Sequence, residues 1–405
     1  LGCPKNEVDS DKLAGTLVAD GMAATDCAGD ADLIVVNTCG FVEDARRESI
    51  DTVLALADQR RDGARLVVTG CMAERYGTEL ADELPEVDEV VGFGVPVLLG
   101  KTRSNGAPPP AMDLLNLPRP ASTRPWAYVK AAEGCDRACG YCAIPSFRGP
   151  QRSRSAESIL AEVDGLGVRE VVLVAQDLAA YGRDQGVGEK AIVALLGAVA
   201  DRVDWVRLLY LYPSEVTDPL VDAVCASGVP YFDLSLQHVS RPLLRRMRRW
   251  GDGDRFESLM ERVRRREPDA TFRSNFIVGY PGETEEDHDE LLAFVADVGL
   301  DWCGFFAFSE EVGTHAEGLD GAVAAPLVAE RLRELGELQD AITASKRDAL
   351  IGRQVEVLVD EPGWGRTHRE APEIDGLVAV PGDLPVGEFA TLTVTGAAGP
   401  DLEAA

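Results

Sequence analysis

Between residues 126 and 350 the sequence repeats one pattern six times, a short apolar run followed by an amphipathic stretch. The runs lie at 126–132, 171–175, 206–211, 231–236, 272–278 and 302–308, and stretches such as 155–167 and 283–298 have the apolar spacing of helices. Strands that recur after a helix pair in parallel, since the helix carries the chain back to the same end. Six such units predict an α/β segment whose parallel sheet curls into a partial (β/α)6 barrel, with its chemistry at the carboxyl ends of the strands.

The flanks read differently. Residues 1–103 alternate buried strands at 32–37 and 64–69 with helices near 7–20, 43–60 and 73–82, which is a smaller α/β domain. Three consecutive prolines, Pro108 to Pro110, mark a linker over 104–125. In 351–405 the runs 354–359 and 390–394 alternate with period two among Gly and Pro, predicting a small antiparallel β module of barrel-like size. Division of 405 residues into 1–103, 126–350 and 351–405 suits a chain too long for one core.

Nine cysteines are more than packing requires, and their odd count and spacing do not form a small disulfide scaffold. Cys135, Cys139 and Cys142 stand as C-x3-C-x2-C directly after the first barrel strand. Thiolates this close on one loop can share an iron–sulfur cluster, and three thiolates leave the fourth iron of a cubane open for a substrate or cofactor. Zinc would need a fourth ligand, and the nearest histidine is His238. Cys39 and Cys71 each follow a strand of the first domain, and Cys3 opens a turn before its first helix. In a parallel sheet those turns share the carboxyl edge, so this trio could hold a second cluster, the alternative being three buried packing thiols. Cys27, Cys225 and Cys303 read as packing residues.

The chain carries 69 acidic and 40 basic residues, a net charge of −29. Such a field repels polyanions and favours a basic partner. No apolar run approaches the ~20 residues of a membrane helix. Leu1-Gly2-Cys3-Pro4 is no signal peptide and lacks a Met, which suggests a trimmed start and a cytoplasmic protein.

At this point the residues resemble a known family, the radical S-adenosylmethionine (SAM) methylthiotransferases, over essentially the whole chain. Segments 1–10, 37–42 and 70–76 look like its N-terminal methylthiotransferase domain, and 133–145 with 148–154 like its radical SAM loop. The tail around Arg366 to Gly376 resembles its TRAM module. Cys3-Pro4-Lys5-Asn6 and Cys39-Gly40-Phe41 are similar to the ribosomal-protein branch (RimO type), whereas the tRNA branch usually has Cys-Ser-Ile after its second cysteine. The resemblance implies two [4Fe-4S] clusters, on Cys3, Cys39 and Cys71 and on Cys135, Cys139 and Cys142. It implies two uses of SAM, methylation of a sulfur at the first cluster and radical hydrogen abstraction at the second. The implied substrate is an aspartate of small-subunit ribosomal protein twelve, methylthiolated at its β-carbon, with a flavoprotein or ferredoxin as electron donor and no catalytic side chain beyond the cluster-bound SAM.

Other positions follow from the barrel. Gln176, Ser235, Arg273 and Gly279 lie at strand ends and are expected to contact SAM, with Arg273 facing its carboxylate. Gln237 is expected to contact the substrate. The stretch 276–284 reads equally as a plain strand–turn–helix junction. The stretch 94–102 imitates a phosphate-binding loop but has five residues between its glycines and is rejected. Arg241, Arg245, Arg246, Arg248 and Arg249 favour RNA, hence the alternative of a tRNA methylthiotransferase acting on a modified adenosine. Charge runs are more often solvated faces, and residues 353–405 hold three basic and ten acidic side chains, so nucleic acid is not favoured. That acidic module is expected to dock a basic protein, with Glu370, Glu373 and Asp375 on the contact surface. A cluster-bearing scaffold without enzymatic activity is a third reading.

Overall fold

The computed structural model describes residues 1–95, 97, 113–188 and 190–405; the proline run and most of the rejected loop at 94–102 lie outside them. The chain divides into two compact units. One comprises Leu1–Ala121, Ala132–Asp136 and Ala143–Gly165, the other Ser122–Ala131, Arg137–Cys142 and Leu166–Ala405. Among the described residues no helix is long and apolar enough to cross a membrane.

In the first unit strands β1 (Leu33–Thr38), β2 (Arg65–Gly70) and β3 (Glu89–Val90) form a parallel sheet in that order. Leu66, Val67 and Val68 are wholly buried, as expected of a β-branched run covered on both faces. Helices α1 (Pro4–Ala19), α2 (Glu43–Gln59) and α3 (Cys71–Glu83) flank the strands. A short antiparallel ribbon, Ala132–Glu133 with Arg152–Ser153, belongs to the same unit.

In the second unit β4 (Trp126–Lys130), β5 (Glu170–Val174), β6 (Trp205–Leu211), β7 (Tyr231–Gln237), β8 (Thr271–Val278) and β9 (Trp302–Ala307) make one parallel sheet. Each strand neighbours the next in sequence, and the outer strands β4 and β9 are not paired with each other, so the barrel is partial. The tail strands β10 (Gln354–Glu361), β11 (Trp364–Arg366), β12 (Val378–Ala379), β13 (Phe389–Ala398) and β14 (Asp401–Ala404) close into a small barrel. It is antiparallel as expected except where β12 pairs parallel with β14, Val378 opposite Leu402.

The segment 366–375 of this module seals the amino end of the larger sheet, and every barrel strand sends it a side chain. Tyr128 of β4 donates to the Pro372 carbonyl at 2.8 Å, Glu170 of β5 pairs with Arg366 at 2.7 Å, and Arg207 of β6 donates to the His368 carbonyl at 2.9 Å. Tyr231 of β7 donates to Asp375 at 2.6 Å, Arg273 of β8 faces the same carboxylate at 3.5 Å, and the Trp302 indole of β9 donates to the Arg369 carbonyl at 2.6 Å. The expectation that Glu370, Glu373 and Asp375 face a partner is thereby corrected. Glu370 is buried against Arg347 and Thr367, Asp375 is buried under Tyr231, and Glu373 alone of the three is exposed.

Replacing Arg366 with Met would take the ion-pair partner from the Asp360 carboxylate and leave the buried Glu170 carboxylate with Arg207 alone. Urea unfolding should show a loss of about 3–5 kcal/mol. Glu373→Lys, which breaks only the half-exposed pair with Arg124, should change stability by less than about 1 kcal/mol. Burial pushes the Glu370 carboxyl up, yet Arg347 and the Thr367 donors hold it down to about 2. Its contribution should therefore be complete above the ordinary glutamate range and lost as the pH falls toward 2. An Arg366→Met protein as stable as the parent would refute the role of the seal.

Candidate functional site

In the first unit the carboxyl edge of the sheet gathers Cys3, Cys39 and Cys71. Cys71 is the first residue of α3, Cys3 caps α1, and Cys39 follows β1 by one residue. Backbone approach decides the geometry. A Cβ on Gly2 would stand 2.9 Å from the Cys39 Cβ, and one on Gly40 would stand 2.9 Å from the Cys71 carbonyl carbon and the Met72 nitrogen. Only glycine lets these turns come together. Asn6 staples them, donating to the Thr38 carbonyl at 3.1 Å while its Oδ1 lies 3.4 Å from the Cys71 sulfur.

The thiols feel one another electrostatically. Burial pushes Cys39 up to about 11, with Cys3 and Cys71 adding to the rise. Burial likewise raises Cys71, whereas at Cys3 the charges of Lys5 and Arg148 outweigh burial and lower the thiol. Cys39 and Cys71 thus resist ionisation until a cation joins them, whereas Cys3 ionises more readily than an ordinary thiol. Among the described residues no group of three or more His, Cys, Asp or Glu is placed to hold a single ion. Cluster thiolates bind different irons and need not meet at one point, so an all-sulfur set in a glycine cradle fits a cluster.

The C-x3-C-x2-C loop is shared, with Cys135 in the first unit and Cys139 and Cys142 in the second. In the second unit Gly140 fixes the turn. Its N–H donates to the Met247 carbonyl at 2.7 Å, its carbonyl accepts from Ala316 at 2.7 Å, and a Cβ there would meet the Tyr280 hydroxyl at 2.9 Å. Arg137 pairs with Asp177 at 2.7 Å and Glu215 at 2.9 Å. Arg249 donates to the Cys139 sulfur at 3.4 Å and to the Ser235 carbonyl. Burial works against its charge, but Tyr141 and Cys139 hold its pKa above the ordinary arginine value. Arg137 and Arg249 both stack on Tyr212, 3.9 and 4.2 Å from the ring centre.

Gln176 lies two residues past β5, Ser235 lies in the last half of β7, and Gly279, at φ +84°, directly follows β8. All are on the carboxyl side of the sheet. Gln237 ends β7 at φ +74°, and Tyr210 in β6 has φ +65°; a side chain in the left-handed region is strained and often marks a functional site. Arg273 is a correction. It is the third residue of β8, near the amino end, and its guanidinium is committed to Asp233 at 3.2 Å and to Asp375. It is not placed to meet a SAM carboxylate. The arginine run is likewise no solvated RNA stripe throughout, because Arg246 pairs with Asp320 and Arg249 is buried on the cysteine loop. Cys27 is exposed rather than packed, and Cys225 and Cys303 are half-buried. Sequence reading missed Asn6, Arg137, Arg148 and Arg249 as site residues; the first three lie within or close to the cysteine motifs, which was the available signal, whereas Arg249 lies in the distant arginine run and gave none.

Comparison with known proteins agrees with this layout. The Uncharacterized protein family UPF0004 matches residues 1–92, the Radical SAM superfamily residues 129–295, and the TRAM domain residues 351–405. A protein of Kineococcus radiotolerans named ribosomal protein uS12 methylthiotransferase RimO is 43% identical, over 99% of this chain and 95% of its own. Namesakes from Moorella thermoacetica (42%, over 98% of this chain and 95% of theirs) and Aquifex aeolicus (41%, 99% and 95%) are as similar. With identity this high over nearly the whole chain, the protein belongs to the RimO family of methylthiotransferases.

Proposed function

We propose that this protein is a radical SAM methylthiotransferase that places a methylthio group on the β-carbon of an aspartate of ribosomal protein uS12. The family relationship supports the reaction class, and the gathering of Cys3, Cys39 and Cys71 at one glycine-lined edge is the observation that carries the reading of this chain. In this reading Cys135, Cys139 and Cys142 hold one [4Fe-4S] cluster and Cys3, Cys39 and Cys71 a second. When bound, the clusters and SAM supply the radical, the sulfur and the methyl group. The chain's own residues hold and shield them. Arg137, Gly140 and Arg249 set the shape of the cysteine loop, while Gln176, Ser235 and Gly279 on the carboxyl side line the way to SAM. Gln237, held in its strained backbone, turns its side chain toward the incoming substrate loop in this proposal. The functional segments are 1–103, 126–350 and 351–405, joined by the linker 104–125. The setting is the cytoplasm, where the substrate is made, and a flavoprotein or ferredoxin supplies electrons. The acidic surface suits a basic ribosomal protein better than tRNA.

Anaerobic reconstitution should load about two four-iron clusters per chain. The Cys135, Cys139 and Cys142 triple Ala variant should lose about half its iron and make no 5′-deoxyadenosine. Formation of that product by the variant would place the radical site elsewhere.

The Cys3, Cys39 and Cys71 triple Ala variant should still cleave SAM reductively but leave uS12 peptides without the added methylthio mass. Mass spectra of uS12 peptides and digested tRNA from the same reaction decide the substrate. Modified adenosine with unmodified uS12 would replace this reading with the tRNA one.

A further inference from the structure

The short helix Ile144–Arg148 ends on a guanidinium that the two-cluster reading does not itself require. The Arg148 side chain is only 3% exposed. Its Nη1 bonds both oxygens of Glu133 at 2.8 Å and Asp9 at 3.2 Å. Its Nη2 donates to Asn6 Oδ1 at 2.7 Å and to the Cys71 sulfur at 2.9 Å. The Phe93 ring centre lies 4.5 Å from the guanidinium carbon. The next residue, Gly149, takes φ +72° and its carbonyl accepts the Cys135 N–H at 3.1 Å. All of these groups lie in the first unit.

A buried ion pair would need only Asp9 and Glu133; it has no use for a donor on sulfur. The planar fork of arginine allows both at once, one edge on carboxylates and the other on Asn6 and Cys71. Charge-assisted donors to sulfur are strong, and hydrogen bonds and charge near cluster sulfurs set the reduction potential. We propose that Arg148 is a positioning residue of the auxiliary site. Its guanidinium fixes the Cys71 sulfur against α1 and, through Gly149, holds the cysteine trio in register with the segment bearing Cys135. Burial opposes its charge, but Glu133, Asp9 and the thiols keep it protonated. This assignment rests on the two-cluster reading above.

The test uses the full chain with Cys135, Cys139 and Cys142 changed to Ala, so that only the auxiliary cluster forms on anaerobic reconstitution. Its midpoint potential is read by a redox titration followed by electron paramagnetic resonance. Arg148→Met is compared within an Asp9→Asn, Glu133→Gln background, so that loss of the guanidinium strands neither carboxylate. Removal of the guanidinium should move the potential to more negative values, or release the auxiliary iron from a chain still folded by circular dichroism. Arg148→Lys in the native background should fall between, keeping the charge but not the fork. An unchanged potential and iron content without Arg148 would overturn the proposal alone. A parent that forms no cluster on Cys3, Cys39 and Cys71 would overturn the two-cluster reading together with it.

Discussion

Charges buried without water must find partners, and the pairing of Glu170 with Arg207 and Arg366 is the constraint on which the larger unit depends. It ties two barrel strands to the tail at the level where the sheet would otherwise open to solvent. Tyr128, Tyr231, Arg273 and Trp302 extend the same seal across the remaining strands. The acidic tail is thus a structural plug at the amino end. This leaves the carboxyl end, with Gly140, Arg249 and Tyr212, free for chemistry.

The same physics recurs in the first unit in a different form. There one of the buried charges is the guanidinium of Arg148, and its partners include a cysteine sulfur as well as carboxylates. Glycines at positions 2, 40 and 70 remove the side chains that would keep the three turns apart. Close backbone approach brings thiols from distant parts of the sequence together, and the arginine fills the remaining polar space.

Much of this was legible in the linear sequence. The six barrel strands fall within a residue or two of the expected runs, except at the ends where β-propensity gives way to turn chemistry. The C-x3-C-x2-C spacing marked a candidate ligand set, since thiols on one short loop need no fold to bring them together. Cys3, Cys39 and Cys71 could be grouped because each follows or starts an element at the same sheet edge. Arg273 could not be assigned correctly, because its strand position alone did not reveal Asp375, which is 102 residues away in sequence. The parallel pairing of β12 with β14 was hidden because a two-residue strand such as β12 carries no periodicity.

The sequence by itself determined the order of strands and helices, which follows from local periodicity, and it allowed two cysteine trios to be proposed, one from its spacing on a loop and one from a shared sheet edge. Only the tertiary structure decided which charges face inward. Glu370 and Asp375 look in sequence like any acidic surface residues, and Arg148 and Arg249 like any basic ones. Whether a charge is solvated or buried depends on partners brought from far along the chain, and that information does not exist until the chain has folded.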